Sequence, residues 1–321
     1  MSEKEQRPIE TETPAPEAQE PTQQAEPSDQ PEQPASAEET PAEPAEPTDD
    51  APEEEEPVAK SYLEMALASG ILPIEVRYSQ INHPYRKVPI AYRSFTYLNS
   101  IISGVVPPEK YMFAADATES GTRLSKWNII SAMRAVKKFD GAGRKIHFIT
   151  ARCSPSIALM PDLYEWMQQL MEENEFHEPE RLCLEFPQSL LYEDPEQVRA
   201  SVLGLKLLKV RTMLSGCGAN DCPVTNLIDI PVDFVLISPH LTAMIGSRSK
   251  NNLILSFFQF LRALPTEVIA DGILNDDQIS TISRADLHGY IPASNYEGSV
   301  MHGRLRMTLE EATSQKDEEE I

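Results

Sequence analysis

From residue 72 onward, short apolar runs of strand character alternate with longer segments whose apolar residues recur every three or four positions. That alternation is the tightest constraint on the fold, because strands joined through helices pair in parallel and need helices to cover them. The first two runs, ILPIEVRYSQI and VPIAYRSFTYL, are separated only by the turn-like NHPYRK, so they read as an opening pair that can run antiparallel. SKWNIISAMRAVKKF then places Trp127, Ile130, Met133 and Val136 on one helical face. PDLYEWMQQLMEE places Leu163, Trp166, Met167, Leu170 and Met171 at the i, i+3, i+4, i+7, i+8 spacing of an amphipathic helix. In EDPEQVRASVLGLKLL the helix start carries Asp194 as N-cap, Pro195 in the first turn and Gln197 completing a capping-box-like pair. KIHFITA, RLCLEF, KVRTML, VDFVLI, TEVIADGI and LHGYIP supply the remaining strands, with NNLILSFFQFLRAL and NDDQISTISRA as helices between the later ones. The fold class is therefore α/β, and a span of roughly 250 residues matches a (β/α)8 TIM-like barrel. An open doubly wound sheet is the competitor, but no Gly-rich dinucleotide turn or phosphate loop follows an early strand.

The 321-residue chain has a net charge of −23, and the charge is unevenly placed. Residues 1–60 hold 19 acidic and three basic side chains, a net −16, together with 12 of the 27 prolines and no glycine or aromatic residue. Such a segment cannot bury enough apolar surface to offset the entropy of ordering, so 1–60 is expected to be a disordered acidic arm. It serves either as a plain spacer or as a solubilising, partner-binding tail. Residues 304–321, ending in QKDEEEI, read as a second acidic tail, leaving 61–303 for the barrel.

Several function classes are disfavoured. The start lacks the basic-then-apolar pattern of a secretory signal, and the apolar runs are shorter than the roughly 20 residues a bilayer requires, so a cytoplasmic location without membrane insertion is expected. Cys153, Cys183, Cys217 and Cys222 suit that compartment as free thiols. Cys217 and Cys222 lack the spacing and the His or Cys partners of a zinc site. Without a basic stripe, an acidic chain repels nucleic acid. LSGCGANDCPVTNL has the turn-prone composition of a loop at a barrel mouth, yet holds one acidic side chain and no histidine. In a barrel the strand C-terminal ends carry the active-site positions, and here few of them can bind a metal or move a proton.

YRSFTYLNSIISGVVPPEKYMFAADAT resembles the opening of the bacterial EAL domain, with Gly104, Pro108 and Tyr111 on the family's Gly, Pro and aromatic offsets. PERLCLEFPQS, IDIPVDFVLIS, VIADGI and HGYIP continue the resemblance in order, over about residues 72 to 300. It implies an EAL-type barrel, and in active members hydrolysis of cyclic di-GMP by two divalent ions held by carboxylates. Carried over residue by residue, the resemblance implies loss of that site. The Glu of the EAL tripeptide falls on Arg93, the metal-binding Asn near Thr150 or Ala151, and the first Glu of E-x-x-E on Glu185 with the second on Gln188. The paired aspartates fall on Ser215 and Gly216, the assisting Lys on Leu236, and the following Asp on Ser238. Asp271 stands for one Glu of the A-E-G-V-E element while Leu274 replaces the other, and His288 stands where the family has a Gln near the substrate.

The expectation is thus a pseudoenzyme with no catalytic residue, no metal and no cofactor, acting as a scaffold for unidentified protein partners. The alternative is a receptor that binds cyclic di-GMP without cleaving it, through Arg93, Arg152, Glu185 and Asp271; residual hydrolysis is the least favoured. The family's ligand-contacting Arg falls on Tyr97, which counts against the receptor, and Glu185 or Asp271 beside Arg93 is expected to form an ion pair. Apolar Phe95, Leu236 and Leu274 are expected to fill the mouth. A homodimer is expected by resemblance only.

Overall fold

The structure, a computed structural model, describes residues 74–100, 104–116, 118–141, 143, 145–219, 226–247, 249–295 and 305–307. Residues 1–60 and most of 304–321, read above as acidic tails, lie outside the described residues.

Strand β1 (Ile74–Asn82) and β2 (Pro89–Ser100) form the expected antiparallel hairpin, in register from Ile74 opposite Leu98 to Ile81 opposite Ala91, with a register shift before Asn82 opposite Pro89. β3 (Gly104–Val106) folds back on the outer end of β2. From β2 onward the sheet is parallel through β4 (Ile149–Arg152), β5 (Leu182–Pro187), β6 (Arg211–Cys217), β7 (Phe234–Ile237), β8 (Glu267–Ile273) and β9 (Gly289–Pro292). β1 closes the ring between β9 and β2, antiparallel to both, which makes an eight-stranded barrel with one reversed strand. β9 reaches β1 only at Asn82, so the other end of β1 lacks a partner on that side; β10 (Leu305–Met307) supplies it by pairing with residues 74 to 76.

The five helices of nine or more residues among the described residues pack around the ring. They are α1 (Glu119–Gly141), α2 (Leu163–Glu173), α3 (Pro195–Leu207), α4 (Asn251–Arg262) and α5 (Asp276–Arg284). Their apolar stripes face the strands: Leu163, Met167, Leu170 and Met171 of α2 are buried, as are Trp127, Met133 and Val136 of α1. Each such side chain withdrawn from water contributes roughly 1.5–3 kcal/mol before conformational entropy is counted. A second, separate apolar cluster lies inside the ring, formed by inward residues including Ala91, Phe148, Cys183, Met213, Phe234, Leu236 and Ile269. The barrel is therefore packed through its middle and open to chemistry only at its ends.

Asp194 caps α3 by accepting the Gln197 amide N–H at 2.9 Å, but the reciprocal half of the anticipated box is not made. The Gln197 side chain instead donates to the Met160 carbonyl at 3.2 Å, tying α3 to the loop before α2. Cys153 and Cys183 are buried free thiols, Cys217 is buried, and no helix among the described residues is long and apolar enough to cross a membrane.

Candidate functional site

The C-terminal ends of the parallel strands bring Arg93 of β2, Thr150 and Arg152 of β4, Glu185 of β5, Ser215 of β6 and Asp271 of β8 to one end of the barrel, above the inner apolar cluster. Three of the four residues singled out from sequence meet directly. Arg93 forks onto Glu185, with Nε donating to Oε2 at 2.8 Å and Nη2 to Oε1, while Nη1 donates to Asp271 Oδ2 at 2.8 Å. Its guanidinium lies 4.8 Å from the centroid of the Phe95 ring. Glu185 is 1% exposed and Asp271 3%.

Burial pushes the Glu185 carboxyl up, but the Arg93 guanidinium, its hydrogen bonds and the Ser215 hydroxyl outweigh burial and hold it below the usual carboxylate range. The carboxylate is therefore ionised and committed to Arg93. Arg152, the fourth residue, is paired elsewhere: it forks onto Asp116, with Nη1 to Oδ1 at 2.6 Å and Nη2 to Oδ2. Asp116 escaped the sequence reading although it lies within the FAADAT run, because nothing in the one-dimensional pattern links it to a residue 36 positions away.

LSGCG is resolved into geometry. Gly216 has φ +85°, and the β6–β7 register slips there, with Ser215 opposite Leu236 and Cys217 opposite Ile237. It is a β-bulge of the kind that needs glycine, placed where the strand must bend at the barrel rim. Gln188 packs within van der Waals reach of this Gly216, and its Oε1 is buried without a hydrogen-bond partner. Ser238 is spent as a helix cap, accepting the Leu241 amide.

Two expectations about side-chain placement are corrected. Leu274 does not fill the mouth: it follows the last residue of β8, is 66% exposed, and borders an outer groove with Ile273, Ile279 and Tyr290. Leu236 is buried, but in the inner cluster below the mouth, so of the three apolar replacements only Phe95 lies against the Arg93 group. His288 is not at the mouth either. It immediately precedes β9, so strand direction sends it to the opposite end of the barrel, 3.6 Å from Glu267 at the start of β8 and with its ring 5.4 Å from Phe234 at the start of β7.

A pair of divalent cations does not fit these residues. Hard cations need several oxygen donors, and here the two buried carboxylates are bridged by a fixed positive charge. Among the described residues no group of three or more His, Cys, Asp or Glu is arranged to hold an ion.

The family model described as EAL domain matches residues 74–290. Among solved structures, the chain is similar to PaMucR phosphodiesterase in its c-di-GMP complex, at 16% identity over 79% of this chain and 99% of that one, with a TM-score of 0.66. The FimX EAL domain from Pseudomonas aeruginosa bound to c-di-GMP matches at 16% identity over 73% and 93%, with a TM-score of 0.61. The EAL enzyme Bd1971 in its cAMP- and cyclic-di-GMP-bound form matches at 16% identity and a TM-score of 0.64; this chain covers 64% of its length, by 74% of its own. At such identities the likeness is one of fold. No curated protein matches.

Proposed function

The chain belongs to the EAL domain family, and from that premise we propose that it is a non-hydrolytic member that works as a protein-interaction scaffold in signalling. The observation that carries this reading is Arg93. Its guanidinium stands between Glu185 and Asp271 and neutralises the two carboxylates that would otherwise be available to a metal. A guanidinium, permanently protonated and with no lone pair to offer, neither ligates a metal nor ionises water as a bound divalent ion does, and a cation in that place repels such an ion. With the mouth closed on itself, function passes to the barrel's outer surface and to the acidic N-terminal segment, in the cytoplasm, with a homodimer as the assembly expected of the family.

A second reading is binding of cyclic di-GMP without cleavage, supported by the c-di-GMP-bound state of the similar FimX EAL domain. Both Arg93 and Arg152 would have to exchange a carboxylate for a phosphate oxygen, leaving Glu185, Asp271 or Asp116 uncompensated. That cost favours the scaffold. Calorimetric titration of the full chain with cyclic di-GMP, with and without Mn2+, separates the two. Absence of heat under both conditions is expected of the scaffold; saturable heat that disappears in Arg152→Gln establishes the receptor.

A further inference from the structure

The opposite end of the barrel holds a cavity of about 500 Å3 between the starts of β6, β7 and β8, within the roughly 300–1,000 Å3 typical of small-molecule sites. Arg211, the first residue of β6, reaches into it with its guanidinium 5.4 Å and 5.8 Å from the ring centroids of Phe148 and Phe234. Its Nε donates to the Glu180 carbonyl at 2.7 Å, which fixes the plane and leaves the two Nη groups as a preset fork.

Arg77, Arg93, Arg152, Arg181 and Arg262 each face a carboxylate. Among the described residues Arg211 makes no such ion pair, although Asp233 borders the same cavity. Asp233 is fixed in the cavity wall by the Thr212 backbone N–H and hydroxyl, which donate to its Oδ2 at 2.7 Å and 3.0 Å.

The charges around the cavity select the ligand class. Arg262 and Asp286 neutralise each other at 2.8 Å, leaving the Arg211 guanidinium against the carboxylates of Asp233 and Glu267. A multiply charged anion meets those carboxylates, and a simple cation meets Arg211. A molecule that carries both signs a few bonds apart satisfies all three, and Phe234 and Leu264 offer an apolar wall beside it.

We propose that the barrel floor is a binding site for a small zwitterion of the α-amino acid type, its carboxylate forked onto the Arg211 Nη groups and its ammonium held by Asp233 and Glu267. The site is independent of the barrel mouth, so it stands or falls separately from the scaffold reading.

The test is thermal-shift screening and calorimetry of the full chain against the standard free α-amino acids, each beside its C-terminal amide and its N-acetyl derivative. Saturable binding of at least one free amino acid is expected, weakened about tenfold or more in both derivatives, since each loses one charge-assisted contact. Arg211→Gln and Glu267→Gln should weaken it similarly. No binding up to about 10 mM, the weak end for a small ligand of this kind, overturns the proposal, as does an amide that binds as well as its parent acid. The derivative comparison uses the unaltered protein, so it decides the matter even if Arg211→Gln fails to fold.

Discussion

At Arg93 one guanidinium serves two buried carboxylates, so removing it strands both charges away from water. Arg93→Met is therefore expected to cost about 3 kcal/mol, as for other broken buried pairs, read as a lower urea midpoint. The sign with pH follows from Glu185, whose carboxyl is held below the usual range. Its stabilisation is fully present above the unfolded-state value of about 4.3 and is lost as pH falls through the lower folded value. In Arg93→Met the same carboxyl is buried without its partner, and protonation relieves it. The stability gap between the two proteins should accordingly shrink when the urea series is repeated near pH 4, the region in which a glutamate titrates; a gap that stays constant would mean that Glu185 does not depend on Arg93. This cluster was legible in the sequence because Glu185 and Asp271 fall at strand ends, where a barrel directs side chains to one rim, and the EAL resemblance placed Arg93 at the tripeptide's Glu. Asp116 and the true positions of Leu274 and His288 were not legible, because they depend on where a strand begins or stops and on contacts between distant segments.

Among the elements, helix α3 and the rim bulges carry their own tests. Asp194→Ala should destabilise by about 1 kcal/mol through loss of the N-cap. Because the Gln197 side chain bonds Met160 rather than the cap, Asp194→Ala and Gln197→Ala should add to within about 0.5 kcal/mol in a double-mutant cycle; strong coupling would instead indicate a reciprocal capping box. Gly272 has φ +75°, and a Cβ placed there would stand 2.8 Å from the Cβ of Pro239. Gly272→Ala should cost more than about 1 kcal/mol in thermal or urea unfolding. Apolar periodicity located α2 and α3 well, since four of the five stripe positions of α2 are buried and Trp166 is half-buried. It was silent on the bulges at Gly216 and Gly272, which are register slips between neighbouring strands and leave no trace in a single strand's pattern.

For the molecule as a whole, alternation of strands and helices narrowed the fold to an α/β barrel or an open doubly wound sheet and allowed a reversed first strand, and the EAL resemblance selected the barrel. Pairing of β10 with β1 was not foreseen, since Leu305–Met307 lies within a segment whose composition is that of a tail. The described ring from β1 to β9 closes without any residue before Ile74, so deletion of residues 1–60 is expected to leave the thermal midpoint within about 2 °C, a shift that corresponds to about 0.5–1 kcal/mol in a domain of this size. A larger fall would show that the acidic segment supports the barrel. The proposal that this EAL domain does not hydrolyse the family's substrate is best tested by incubating the full chain with cyclic di-GMP and Mn2+ and separating the nucleotides by chromatography. Cyclic di-GMP is expected to be recovered intact; linear product accumulating in proportion to protein and time, and abolished by chelation of the metal, would show an active phosphodiesterase.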